Sequence, residues 1–132
     1  VIVNHIPKIV IKTIKPENHR YLTCGDFLYD AEDDTLTIFI SRMSDWRSEL
    51  AVAVHEAFES VTCLASDVKF KDIDLFDMNY EAHRKSGNSC EPGDSPDAPY
   101  HSQHVGATWI EKEVCSRLDL PWETHERNVN DL

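Results

Sequence analysis

Short alternating apolar stretches dominate the first third of the chain, and a spacing of three and four takes over after residue 45. From Ile6 to Ile14, I-P-K-I-V-I-K-T-I is β-branched and partly alternating, which predicts a strand, and the K-P-E-N-H-R that follows is turn-like. D-F-L-Y-D at 26–30 and T-L-T-I-F-I-S at 35–41 flank the acidic turn A-E-D-D, the pattern of a hairpin. Ser44 or Asp45 can cap a helix of about five turns. Its apolar residues Leu50, Val54, Ala57, Phe58, Val61, Leu64 and Ala65 make one stripe expected to face the core. A shorter helix is expected from near Asp72 or Asp74, capped by those carboxylates, through Arg84. Residues 86–99 hold three prolines and two glycines and suit neither helix nor strand. A last helix is expected over about 100–119, with Ala107, Ile110, Val114 and Leu118 turned inward and L-D-L-P-W at 118–122 ending it. Trp46, Trp109 and Trp122 read as core or edge anchors. The sum is an α+β fold: a small sheet of three to four strands packed against about three helices.

Composition narrows the partners. At 132 residues and 41% hydrophobic, the chain has the size of one domain spanning 1–132. Its net charge of −11 repels phosphate backbones and anionic lipid surfaces, so neither nucleic acid nor membrane is expected as a partner. No apolar run approaches the roughly 18 residues of a membrane span, and the first residues lack a secretory pattern, so a cytoplasmic location is expected. Cys24, Cys63, Cys90 and Cys115 form no C-x-x-C pair and are expected as reduced thiols.

The chemistry concentrates in V-H-E-A-F-E-S at 54–60. It differs from H-E-x-x-H, the zinc-binding helix motif, by a glutamate in the second histidine slot. On a helix His55 and Glu59 project side by side, at the border of the apolar stripe, while Glu56 lies about 100° further round. A catalytic zinc takes three protein ligands and leaves one position open. The third ligand is expected from H-S-Q-H, where His101 and His104 stand about a turn apart, and His104 shares its strip with Glu111. The ordinary alternative is a half-buried His55 paired with Glu59 in an i,i+4 contact. Tyr100 is a candidate hydrogen-bond donor to a substrate, Asp77 more a helix-start carboxylate than a ligand, and His5, His19, His83 and His125 read as surface residues.

The order of these pieces resembles a little-characterised family encoded in bacteriophages and prophages whose members look like minimal zincin metallopeptidases. A-V-H-E-A-F-E, E-P-G-D and A-P-Y-H-S-Q-H carry the resemblance, which runs from about residue 23 to 122. It implies that the motif helix packs under a sheet whose edge strand, T-L-T-I-F-I-S, lines a substrate cleft. It also implies His55 and His104 as ligands of Zn2+, Glu59 in the second-ligand slot and Glu56 as general base. The implied activity is a zinc-dependent, peptidase-like hydrolase: Glu56 takes a proton from a metal-activated water that attacks a peptide or amide carbonyl, with Tyr100 or His101 steadying the oxyanion. The alternative is a non-catalytic protein, either metal-stabilised or an acidic interaction protein that imitates nucleic-acid charge.

Overall fold

T-L-T-I-F-I-S carries no charged residue, while the two other strand segments do, and that difference decides the order of the sheet. In the computed structural model, which describes residues 4–85 and 90–132, this stretch is the central strand β3 (Thr35–Ser41). β1 (Lys8–Ile14) pairs with it in parallel and β2 (Gly25–Asp30) antiparallel, giving the order β1-β3-β2. The strand expected to line a cleft as an edge is therefore the middle one, and β2 is the edge beside the site. Lys8 and Lys12 on β1, and Asp26 and Asp30 on β2, are the charges tolerated on margins. The hairpin pairs Gly25 with Ile40 and Asp30 with Thr35. Its turn is closed by Asp30 Oδ1, which accepts the Glu32 N–H at 3.0 Å, and by a left-handed Asp34 with φ of 47°.

Alternation gives the sheet one covered face. Leu36, Ile38 and Ile40 are fully buried, and with Phe27, Val52, Ala53, Cys63, Ile73, Ala98 and Tyr100 they make the main core. α1 (Trp46–Ala65) lies over that face, started by Asp45, whose carboxylate accepts the Arg47 N–H at 2.9 Å. α2 (Phe70–Ala82) begins earlier than expected and without a side-chain cap. There Phe70 meets the ring of Phe27 edge-on at 4.8 Å, which draws the helix start onto the sheet.

α3 (His101–Arg117) packs along α1, and a fourth helix, α4 (Trp122–Asn130), follows where the sequence suggested only a stop. Pro121 does end one helix, but its fixed φ also starts the next. Asp119 turns the chain in the left-handed region, and Leu120 buries against Ala51 and Cys115 with half-buried Trp122 beside them. Trp46 and Trp109, by contrast, are 63% and 70% exposed and anchor nothing in the core. Within the expected loop, residues 86–89 lie outside the described residues, and Pro92–Asp94 form a 3-10 turn. The four cysteines make no disulfide, and among the described residues no helix is long and apolar enough to cross a membrane.

The helix faces are the departure that matters. On α1, of the expected stripe only Leu64 is buried; Leu50 and Ala65 are exposed and Val54, Ala57, Phe58 and Val61 half-buried, while Ser48, Val52, His55, Glu59 and Cys63 point inward. On α3, Ile110, Val114 and Leu118 are half-buried, while His104, Ala107, Glu111 and Cys115 are buried. The two helices meet along polar strips.

Candidate metal centre

α1 and α3 run past each other with ionisable side chains between them, a burial that is tolerable only when each group finds a partner. His55 Nε2 lies 3.1 Å from Glu59 Oε2, one helical turn on. From the facing helix, His104 Nδ1 reaches the same oxygen at 2.9 Å. All three side chains are buried, and one ligand atom from each can be chosen so that the atoms lie within 4.8 Å of one another. His55 and Glu59 of the motif and His104 of H-S-Q-H thus come together as a group that could hold a metal ion.

Each imidazole is backed on its other nitrogen by carboxylates. His104 Nε2 lies 3.1 Å from Asp94 Oδ1 and 3.2 Å from Glu91 Oε2. These belong to E-P-G-D, where the two acids cap each other's backbone N–H groups. Gly93 lies so close to the His104 ring that a Cβ there would fall 2.4 Å from Cγ. His101 stays out of the group: its Nδ1–H donates to the Gly93 carbonyl at 2.9 Å and ties the turn to α3. Glu91 and Asp94 with His104 form a second possible ion-holding set, but both of those carboxylates are about half exposed.

Behind His55 stands Glu111, with Oε1 2.7 Å from Nδ1. The ring is not aimed along that line, so the contact is a close charge approach and Nδ1 lacks a directed hydrogen bond. The other oxygen, Oε2, accepts from His125 Nε2 at 2.5 Å, and His125 Nδ1 lies 3.0 Å from Ser48 Oγ. His125, expected on the surface, is 1% exposed, because α4 carries it under the α1–α3 pair. His19, also expected outside, is half-buried against Ser41 Oγ at 2.8 Å, while His5 and His83 are exposed as expected.

Electrostatics follow from this pairing. Burial opposes charge on His55, but Glu111 and Glu59 outweigh it and hold its pKa well above the usual value. For His104, burial is again outweighed, by Glu59 and Glu91, to about 10. Burial would raise the Glu59 carboxyl, yet His104 and His55 bring it below the ordinary range, and His125 and His55 likewise take Glu111 to about 2. Two imidazolium protons therefore converge on one carboxylate oxygen. A divalent cation replacing both leaves the local charge unchanged.

Above this floor opens a cleft of about 350 Å³ bounded by β2, α1, α2 and the E-P-G-D turn. Glu56 lines it, packed so tightly under β2 that a Cβ on Gly25 would meet its Oε1 at 2.5 Å. Among the described residues nothing hydrogen-bonds its carboxylate, and burial with the charge of Glu59 raises its pKa well above the usual value. Deeper along the cleft, Asp77 accepts the hydroxyls of Tyr100 at 2.5 Å and Tyr21 at 3.2 Å. Burial lifts Asp77 to about 7 against those two bonds. Tyr100, expected as a donor to a substrate, lines the cleft, but its hydroxyl proton is engaged by Asp77. Arg20 ties together Asp26 and Asp74 of the cleft lining, bonding Asp26 at 2.7 and 2.9 Å and Asp74 at 3.1 Å.

Sequence reasoning missed His125, Ser48 and Tyr21, and it quoted Glu91, Asp94 and Gly93 without a role. One local signal existed for α4: Trp122, His125 and Val129 recur at helical spacing, and all three are buried or half-buried. No protein-family model, curated protein or solved structure matches the chain.

Proposed function

We propose that the chain is a zinc-dependent hydrolase of peptide-like substrates, with His55, Glu59 and His104 holding the ion and Glu56 serving as the base. One observation carries this: nitrogens from two helices point at a single buried carboxylate oxygen at the floor of an open cleft. Two imidazoles and one carboxylate are the donor set of many catalytic zinc sites, and the cleft side leaves room for a fourth ligand. A bound zinc ion would supply Lewis acidity toward a carbonyl oxygen and toward water.

The chain's own groups do the rest. Glu56 adjoins His55 and lines the cleft, with no hydrogen bond to its carboxyl group among the described residues; as the carboxylate it takes a proton from water, and as the acid that its raised pKa favours it delivers that proton to the leaving nitrogen. Asp77 holds Tyr21 and Tyr100 in place along the wall. The outer edge of β2 borders the cleft, and an extended peptide can add to such an edge through backbone hydrogen bonds, which favours a peptide as substrate. The phage-family resemblance points to the same class.

A second reading is a polar tie between α1 and α3 without turnover. It is favoured by the fact that His55, Glu59 and His104 already satisfy one another. Metal content after chelator-free purification separates the two. About one zinc per chain is expected, lost in His55→Ala and His104→Ala, with Glu56→Gln retaining the metal while peptide hydrolysis falls by about a hundredfold or more. Wild-type protein that neither carries zinc nor gains thermal stability from added zinc would leave only the polar tie.

A further inference from the structure

We infer that Glu111 and His125 form a positioning chain that sets the ring of His55 for its ligand role, an inference that rests on the metal centre proposed above. Neither residue contributes an atom to the converging group. Their arrangement is nonetheless specific. His125 is one of the most deeply buried side chains of the protein, yet it sits on the short terminal helix α4, and no other residue of α4 is buried.

Both of its nitrogens are used. An ionised carboxylate can only accept, so the 2.5 Å contact with Glu111 Oε2 places a proton on His125 Nε2. Ser48 Oγ takes an N–H from Asn128 at 3.0 Å and has its own proton left for His125 Nδ1, also 3.0 Å away. With a proton on His125 Nε2 alone, the chain runs from Asn128 through Ser48 and His125 to Glu111. One oxygen of Glu111 is held, and the other stands 2.7 Å from His55 Nδ1.

An imidazole bound only through Nε2 can swing about its Cβ–Cγ bond; the Glu111 charge 2.7 Å from Nδ1 opposes that swing and favours the tautomer with its proton on Nδ1 and its lone pair on Nε2. Here the carboxylate is itself locked from a different helix. The alternative is a plain tie between α3 and α4 that steadies the fold without reaching the ligand. It predicts a loss of stability with no change at the metal.

The test is a titration of the intact chain with Zn2+ against a chromophoric chelator, and with Co2+ followed by visible absorption. Wild type is compared with His125→Leu, His125→Gln, Glu111→Gln and Leu120→Ala. Leu120→Ala opens the same α3–α4 packing away from the chain and reports what instability alone does. His125→Leu and Glu111→Gln are expected to bind zinc about tenfold or more weakly and to alter the cobalt band. His125→Gln, which keeps an N–H for Glu111, is expected to restore most of the affinity, and Leu120→Ala to bind as wild type does.

If His125→Leu fails to fold, the near-isosteric Glu111→Gln decides the matter. Wild-type affinity and an unchanged cobalt band in His125→Leu or, should that variant not fold, in Glu111→Gln, beside a wild type that binds, would overturn the chain and leave the metal centre standing. A wild type that binds neither ion overturns both.

Discussion

Gly93→Ala asks whether the His104 ring is where the E-P-G-D turn puts it. The glycine has no left-handed φ, so the backbone accepts alanine and the effect is steric. The new Cβ would stand 2.4 Å from His104 Cγ, 2.5 Å from Nδ1 and 2.9 Å from Cβ. Ordinary van der Waals contact begins at 3.4 Å, so ring and turn must separate by about 1 Å. The ring cannot retreat without loss, since Nδ1 lies 2.9 Å from Glu59 and the far side faces Asp94 and Glu91. Overpacking of this kind costs about 1–3 kcal/mol, or roughly 3–12 °C in Tm for a domain of this size. This loss needs no metal and is expected in chelator. A displacement of about 1 Å also exceeds the roughly 0.2 Å tolerance of a coordination bond, so zinc affinity should fall by more than about tenfold. Urea denaturation with chelator and with zinc reads both effects. A wild-type midpoint in chelator would refute the close approach of Gly93 and His104. A lowered midpoint that zinc still raises as it does in wild type would remove His104 from the ligand set.

Asp77 makes stability fall as pH rises. Burial raises its folded pKa to about 7 from 3.8, so between about pH 4 and pH 7 the folded chain keeps a proton that the unfolded chain has released, and folding weakens across that window. Asp77→Asn keeps an acceptor oxygen for one tyrosine and turns an NH2 donor toward the other hydroxyl, and it should gain on wild type by on the order of 3 kcal/mol between pH 5 and pH 8 in urea denaturation; a pH-independent difference would refute the assignment. Arg20→Met leaves the buried Asp26 carboxylate without its two charged hydrogen bonds and should destabilise the fold by about 1–3 kcal/mol. Adding Asp26→Asn should recover part of that loss, and strict additivity of the two substitutions in denaturation midpoints would show that the pair is not coupled.

The strands were legible because alternation is a local property: Leu36, Ile38 and Ile40 announce one buried face wherever the strand ends up. Their order in the sheet was not, since pairing β1 with β3 joins residues more than two dozen positions apart. His55, Glu59 and His104 were legible for the same local reason, a one-turn spacing on α1 and a histidine at the start of α3. What misled was the rule that a helix hides its apolar stripe and shows its polar one. That rule prices a lone buried charge, and on α1 and α3 no charge is alone: Glu59 meets two imidazoles, and Glu111 meets His55 and His125. Once paired, the polar strips can be buried, and Leu50, Val54 and Phe58 move to the margin. The partners are 45 residues apart for Glu59 and His104 and 77 for Ser48 and His125, so no window of sequence holds both members of either pair. His125 and His83 look alike in sequence, each beside a glutamate or arginine on a short helix. One is buried and the other exposed because only His125 has two polar groups waiting across the fold.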